Sequence, residues 1–154
     1  MSRRKRKNHY KQGLYRPKNP QKYRGDISNI FLRSGWEISV ARWLDNNPSV
    51  LDWSCEEVVI PYLCETDGRS HRYFVDFSAT IKDVQGNIQK YLIEVKPYAE
   101  TQVPKVPKRR TKNYERAVLT FMKNQSKWKY AREYANRIGA KFVILTEKEI
   151  YGKG

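Results

Sequence analysis

The sequence predicts an α/β domain, a mixed β-sheet flanked by helices, behind a basic N-terminal arm. Three observations predict it. Residues 73–81 alternate with a period of two, Tyr73, Val75, Phe77, Ala79 and Ile81 against Phe74, Asp76, Ser78 and Thr80, and residues 88–95 read as a second strand. Helical stripes recur on both sides of this pair. A short apolar run, residues 142–145, follows the second helix as buried strands do.

In chain order, residues 1–24 hold ten basic residues and no acid, interleaved with Tyr10, Tyr15 and Tyr23. Pro17 and Pro20 argue against a helix there. This arm is either a solvated tail or a segment ordered against DNA or a protein partner. A helix over 35–46 carries Trp36, Val40, Trp43 and Leu44 on one stripe and ends at Asn46-Asn47-Pro48. Residues 50–54 and 58–62 are strand candidates, set off from the next strand by Asp67-Gly68. The strands at 73–81 and 88–95 form a hairpin, with Asp83 and Gly86-Asn87 marking the turn. Residues 97–111 form an irregular loop with Pro104 and Pro107. Asn113 is placed to cap a long helix reaching Ile138, with a break near residues 124–126 and Gly139 as its C′ residue. Thr146 and Glu149 have capping-box spacing for a last short helix. The step from strand 88–95 over the long helix to 142–145 is a parallel crossover, expected to be right-handed. The chain divides into the arm, 1–24, and one domain, 25–154.

Composition narrows the function. No apolar run is long enough to span a membrane. The N-terminus lacks the apolar stretch of a secretory signal. Cys55 and Cys64 match no zinc or redox spacing and read as buried, idle thiols; two histidines make a zinc site a poor expectation. The net charge of +15 is the stronger constraint. Basic residues gather in the arm (Arg3, Arg4, Lys5, Arg6 and Lys7) and in a second cluster (Lys105, Lys108, Arg109, Arg110 and Lys112). Such patches bind polyanions by counterion release, so nucleic acid is the expected partner.

Folding the hairpin about Gln85 sets Asp76 opposite Glu94. Facing like charges are unfavourable, so the pair needs a reason. A divalent cation supplies one, because hard oxygen ligands suit Mg²⁺ or Mn²⁺. Lys96, two residues past Glu94, points to the same face. Two acids and a lysine on one face of a basic chain point to metal-assisted phosphodiester cleavage. The plain alternatives are an edge-strand Asp76 facing water and an amphipathic strand with a solvated Glu94 and Lys96. Glu37 is the third acid. Ser34-Gly35-Trp36-Glu37 fits a capping box, so Glu37 is either a cap or a metal-shell ligand. Tyr62, Arg69, His71 and Arg72 are candidates for phosphate contact or ordinary surface residues. Nothing in spacing brings Glu56 or Glu57 to the cluster.

Glu37 on a first helix, Asp76 at a strand and Glu94-Val95-Lys96 before a crossover helix resemble the PD-(D/E)xK nucleases, with Val75 in place of the proline. The leading acid on the helix is similar to that of Holliday-junction resolvases and Tn7-type transposase endonuclease subunits. More specific blocks cover nearly the whole chain. They are Tyr15-Arg16-Pro17-Lys18-Asn19-Pro20-Gln21-Lys22-Tyr23, Arg33-Ser34-Gly35-Trp36-Glu37, Trp53-Ser54-Cys55-Glu56-Glu57, Ile60-Pro61-Tyr62, Arg72-Tyr73-Phe74-Val75-Asp76-Phe77 and Ile93-Glu94-Val95-Lys96-Pro97. They resemble the head completion nucleases of contractile-tailed bacteriophages. The resemblance implies a restriction-endonuclease-like core acting late in head assembly, after DNA packaging.

The expected activity is a Mg²⁺-dependent endonuclease, with Mn²⁺ able to substitute, acting on double-stranded DNA. Asp76 and Glu94 hold the metal, with the Val95 carbonyl and Glu37 completing its shell. Lys96 serves the attacking water and the scissile phosphate. The arm, Arg72 and the 105–112 cluster hold DNA. The resemblance implies portal or connector proteins as partners, and the infected host's cytoplasm or the virion head as the location. The rival reading is a DNA-binding plug of the phage head that keeps a nuclease fold without needing its activity.

Overall fold

The computed structural model of the chain describes residues 13–152. In order, its elements are β1 (Gly13–Leu14), β2 (Phe31–Leu32), α1 (Gly35–Asn46), β3 (Val50–Cys55), β4 (Val59–Cys64), β5 (Arg69–Phe74), β6 (Phe77–Lys82), β7 (Ile88–Val95), α2 (Lys112–Arg137), β8 (Ala140–Leu145) and α3 (Glu147–Ile150). Four strands form the central sheet in the order β3–β6–β7–β8. Its first two pairings are antiparallel, and β7–β8, joined through α2, is parallel. The sheet is therefore mixed, as expected.

The hairpin turns where the sequence places it. Phe77 pairs with Ile93 and Lys82 with Ile88, a register centred on Gln85. The Asp83 carboxylate closes the turn by accepting the N–H groups of Gln85 at 2.9 Å and Asn87 at 2.8 Å. Gly86 takes φ +89, which a side chain would resist.

The expected single strand over 73–81 is instead two strands, β5 and β6, with a bend at Val75 and Asp76. The two halves have different partners. β5 pairs with β4 in a separate two-stranded sheet, while β6 pairs with β3 and β7. Alternation survives across the bend because both halves are extended, so period alone does not reveal it.

α1 has the predicted bounds, but its buried face is Val40, Ala41, Leu44 and Asp45. Trp43 was expected on the apolar stripe and is 51% exposed. α2 is capped by Thr111, whose hydroxyl accepts the Tyr114 N–H at 3.1 Å, in place of Asn113. It runs without the expected break. Asn124 and Ser126, which suggested that break, are buried, and the Ser126 hydroxyl accepts the Glu65 N–H at 3.4 Å. Ser126 is thus spent on a tertiary contact rather than on a break. Gly139 ends it at φ +74, as predicted. The Thr146–Glu149 capping box of α3 is present.

Two apolar cores lie on the two faces of the sheet. Phe77, Ala79, Ile93 and Val95 pack with α1. Leu92 packs with Trp128, Ala131 and Ala135 of α2. Because successive β7 side chains alternate, Glu94 falls on the α2 side with Leu92. Its half of β7 is buried throughout.

Residues 13–24 pack on the domain itself. β1 pairs with β2. The fully buried Asp45 carboxylate accepts the Tyr15 hydroxyl at 2.9 Å, the Lys18 N–H at 2.7 Å and the Asn19 N–H at 3.0 Å. Tyr23 is buried edge-on against Trp53, their centroids 4.8 Å apart. Residues 1–12, including Arg3, Arg4, Lys5, Arg6 and Lys7, lie outside the described residues.

Candidate active site

The site gathers where β7 leaves the sheet. Asp76 lies at the bend just before β6, at the position that extends the β6–β7 register to Glu94. Its Oδ2 accepts the Val95 N–H at 2.8 Å. That N–H lies past the last β6–β7 residue pair, so the carboxylate both caps the ladder and is fixed by it. The Glu94 carboxylate accepts the hydroxyl of Tyr73 on one oxygen. Its other oxygen, Oε2, lies 3.5 Å from the Lys96 ammonium. Glu94 and Lys96 share a face, as their spacing requires.

The electrostatics are those of acids crowded away from water. Burial, then the negative charge of Glu94, pushes the Asp76 carboxyl up to about 8, against the pull of the Val95 N–H. Burial and the Glu94 charge also push the Tyr73 hydroxyl up, which keeps it a donor to Glu94. Glu37 is raised as well, first by burial and more weakly by Glu56 and Glu94, while the Arg33 N–H and charge oppose the shift.

Glu37 makes half of the capping box that the sequence allowed. Its N–H donates to the Ser34 hydroxyl at 3.1 Å, the expected cap. Its Oε1 accepts the N–H of Arg33 at 2.9 Å, one residue earlier than a capping box requires. Its Oε2 takes no hydrogen bond among the described residues. Glu37 and Lys96 line a common cleft of about 520 Å³, together with Trp36, Val95, Pro97 and Tyr151.

Three residues at the cluster were not predicted. Glu56 sits at the end of β3 with φ +57, gives its N–H to the Asp76 carbonyl at 3.1 Å, and pairs with the Arg33 guanidinium. Tyr73 orients Glu94. Lys127 reaches in from α2, its ammonium 5.5 Å from the centre of the Tyr73 ring. Burial pulls Lys127 down while the charge of Glu94 holds it up. No local pattern marks these three, because each arrives through tertiary packing.

The other candidates lie apart. Tyr62, considered for phosphate contact, is buried and stacks on His71. His71 pairs with Asp67 at 2.8 Å, and Arg69 is exposed near the same β4–β5 turn. Arg72 is exposed on β5, its guanidinium over the Phe74 ring. Lys105, Lys108, Arg109 and Arg110 are exposed on the loop before α2, with Arg110 paired to Glu115 at 3.2 Å. Cys55 and Cys64 are buried free thiols, and burial pushes Cys55 up to about 12, so it is inert as a nucleophile.

The donor set fits a hard divalent cation. It offers carboxylate oxygens of Asp76 and Glu94, with Glu37 near enough for its charge to act on both, and no sulfur or imidazole ligand. Asp76 uses one oxygen on Val95 and leaves the other without a hydrogen bond among the described residues. The upward shift of Asp76, set first by burial and then by the Glu94 charge, is one that a bound cation would oppose.

Comparison with known proteins places the chain among nucleases. The family model of the TnsA-like endonuclease N-terminal domain matches residues 47–147, which include Asp76, Glu94 and Lys96 but not Glu37. The chain is 42% identical to the head completion nuclease of Enterobacteria phage T4 over 146 residues, covering 92% of this chain and 95% of that protein. With the mixed sheet and the acid pair at the end of β7, these matches identify the chain as an endonuclease of the TnsA-like family within the PD-(D/E)xK nucleases, related to the phage head completion nucleases.

Proposed function

We propose that the chain is a Mg²⁺-dependent endonuclease acting on double-stranded DNA in phage head completion, with its active site at Asp76, Glu94 and Lys96. The observation that carries this reading is the half-buried Asp76 facing the buried Glu94, with Lys96 3.5 Å from Glu94. Asp76 and Glu94 would hold the ion, with the Val95 carbonyl as a further oxygen ligand and Glu37 acting directly or through water. A bound divalent cation lowers the pKa of its water and offsets charge on the phosphoryl oxygens. Val95 N–H and the Tyr73 hydroxyl fix the two carboxylates so that little reorganisation accompanies the reaction. Lys96 orients the attacking water and faces the scissile phosphate. The water oxygen forms a new P–O bond as one P–O bond to the sugar breaks, and a proton moves to the leaving oxygen.

The head completion role rests on the similarity to the T4 protein of that name. Portal or connector proteins and the infected host cytoplasm follow from that role. The arm, Arg72 and the 105–110 cluster supply sequence-independent affinity for DNA. A plasmid-nicking assay with Mg²⁺ or EDTA, on the parent and on Asp76→Ala and Glu94→Ala, tests the assignment. Expected is Mg²⁺-dependent nicking that both variants lose while still binding DNA. Nicking by both variants at the parent rate places the active site elsewhere. A parent that binds DNA but never nicks it favours the head-plug reading.

A further inference from the structure

We propose that Lys127 of α2 contacts the DNA phosphate at the metal centre, as a second cation opposite Lys96, and that a basic stripe on α2 leads the DNA backbone to it. This rests on the assignment of Asp76 and Glu94 as the active site.

Lys127 is half-buried, yet forms no ion pair among the described residues. A cation withdrawn from water without an anion is unfavourable. Its ammonium lies over the face of Tyr73, the residue whose hydroxyl binds Glu94. It feels the attraction of Glu94 and Asp76 and the repulsion of Lys96 and Lys123. Two lysines from different elements thus flank one pair of acids. With the acids' charge taken up by a divalent cation, both ammonium groups would lack an anion from the protein. A phosphodiester is the missing anion, and it is the substrate of this site.

The stripe supports the same direction. Lys112, Arg116, Lys123 and Lys127 stand at i, i+4, i+11 and i+15 on α2. At about 100° per residue they fall within roughly 60° of one another on the helix surface. The first three are exposed and the last is half-buried, so the line runs from the basic loop at 105–110 toward the acids. Like charges at i, i+4 disfavour an isolated helix, so a row of cations needs a compensating polyanion. An apolar partner does not offset it; the closely spaced charges of a sugar-phosphate backbone do.

The test compares the parent with Lys127→Met, Lys127→Arg and Asp76→Ala. Methionine keeps an apolar stem against Tyr73 and removes the charge; arginine keeps the charge. Measured are single-turnover plasmid nicking at saturating DNA over a Mg²⁺ series, duplex affinity in EDTA, and the thermal midpoint. Expected for Lys127→Met is a loss in nicking of about 10- to 100-fold that persists at saturating Mg²⁺. Duplex affinity then changes less than about threefold and the midpoint hardly moves, because the basic patches supply most of the binding. Arginine recovers at least part of the rate. Parent-rate nicking by Lys127→Met beside an inactive Asp76→Ala overturns the role of Lys127 alone. A deficit that vanishes at another Mg²⁺ concentration also overturns it, since Lys127 then acts only on the acids. Nicking by Asp76→Ala at the parent rate overturns the acid-pair assignment and this inference with it.

Discussion

Asp76 carries the sharpest consequence at the scale of single residues. Its carboxyl is held near pH 8 in the folded, metal-free protein by burial and by Glu94, against about 4 in an unfolded chain. Between those values the folded state keeps a proton that the unfolded state releases. Stability of the metal-free protein therefore falls as pH rises from about 4 to 8. Melting in EDTA across that range is expected to show the midpoint dropping as pH rises, with Mg²⁺ restoring it most at the alkaline end. Asp76→Asn keeps an acceptor for the Val95 N–H and removes the titration, so its curve is flatter. A parent midpoint that rises with pH through this window contradicts the placement of the pair.

Glu37 admits a different test, since it both caps α1 and shares the cleft with Lys96. Glu37→Gln preserves an acceptor for the Arg33 N–H and removes the charge. Nicking is expected to fall at least about 10-fold while the midpoint moves less than about 2 °C, a cap being worth about 1 kcal/mol even when lost outright. Retained nicking at ordinary Mg²⁺ leaves Glu37 a cap and nothing more. The acid pair and Lys96 were legible in the sequence because register arithmetic about one turn brings them together. Tyr73, Glu56 and Lys127 were not, because a tyrosine on the strand before a bend, an acid at a strand end and a lysine on another helix share no local period.

At the scale of elements, the boundaries of α1 and β7 follow from capping and alternation, but the partition of 69–82 into two strands does not. That partition depends on where β4 and β3 lie, which no local pattern states. Asp45 gives the measurable case. It lies at the C-terminal end of α1, where a carboxylate opposes the helix dipole. It is nonetheless fully buried, and it anchors residues 15–19 through the Tyr15 hydroxyl and the Lys18 and Asn19 N–H groups. Asp45→Ala leaves these donors without an acceptor, at about 1–3 kcal/mol for each that stays buried. The midpoint is expected to fall by at least about 6 °C. Residues 13–24 become open to protease in the variant before the rest of the domain. Parent-like melting and protection mean that Asp45 does not dock this segment.

At the scale of the whole molecule, ten of the basic residues fall in residues 1–24, of which 13–24 lie among the described residues. Read from composition, residues 1–24 form one basic arm. In the structure, residues 13–24 are tied to the domain through Asp45 and Trp53. A DNA-binding test that deletes all 24 would remove core contacts with the charge and confuse loss of affinity with loss of fold. The cut belongs after Gln12. Residues 1–12 carry Arg3, Arg4, Lys5, Arg6, Lys7 and Lys11. If all six neutralise phosphates, their removal lowers the slope of log affinity against log salt by up to about five, while cations on the domain keep a residual slope. The truncated protein is expected to melt like the parent, to nick at a similar rate when DNA is saturating, and to lose affinity mainly at low salt. An unchanged salt slope assigns these twelve residues to a protein partner and leaves the Arg72, 105–110 and α2 cations as the DNA-binding surface.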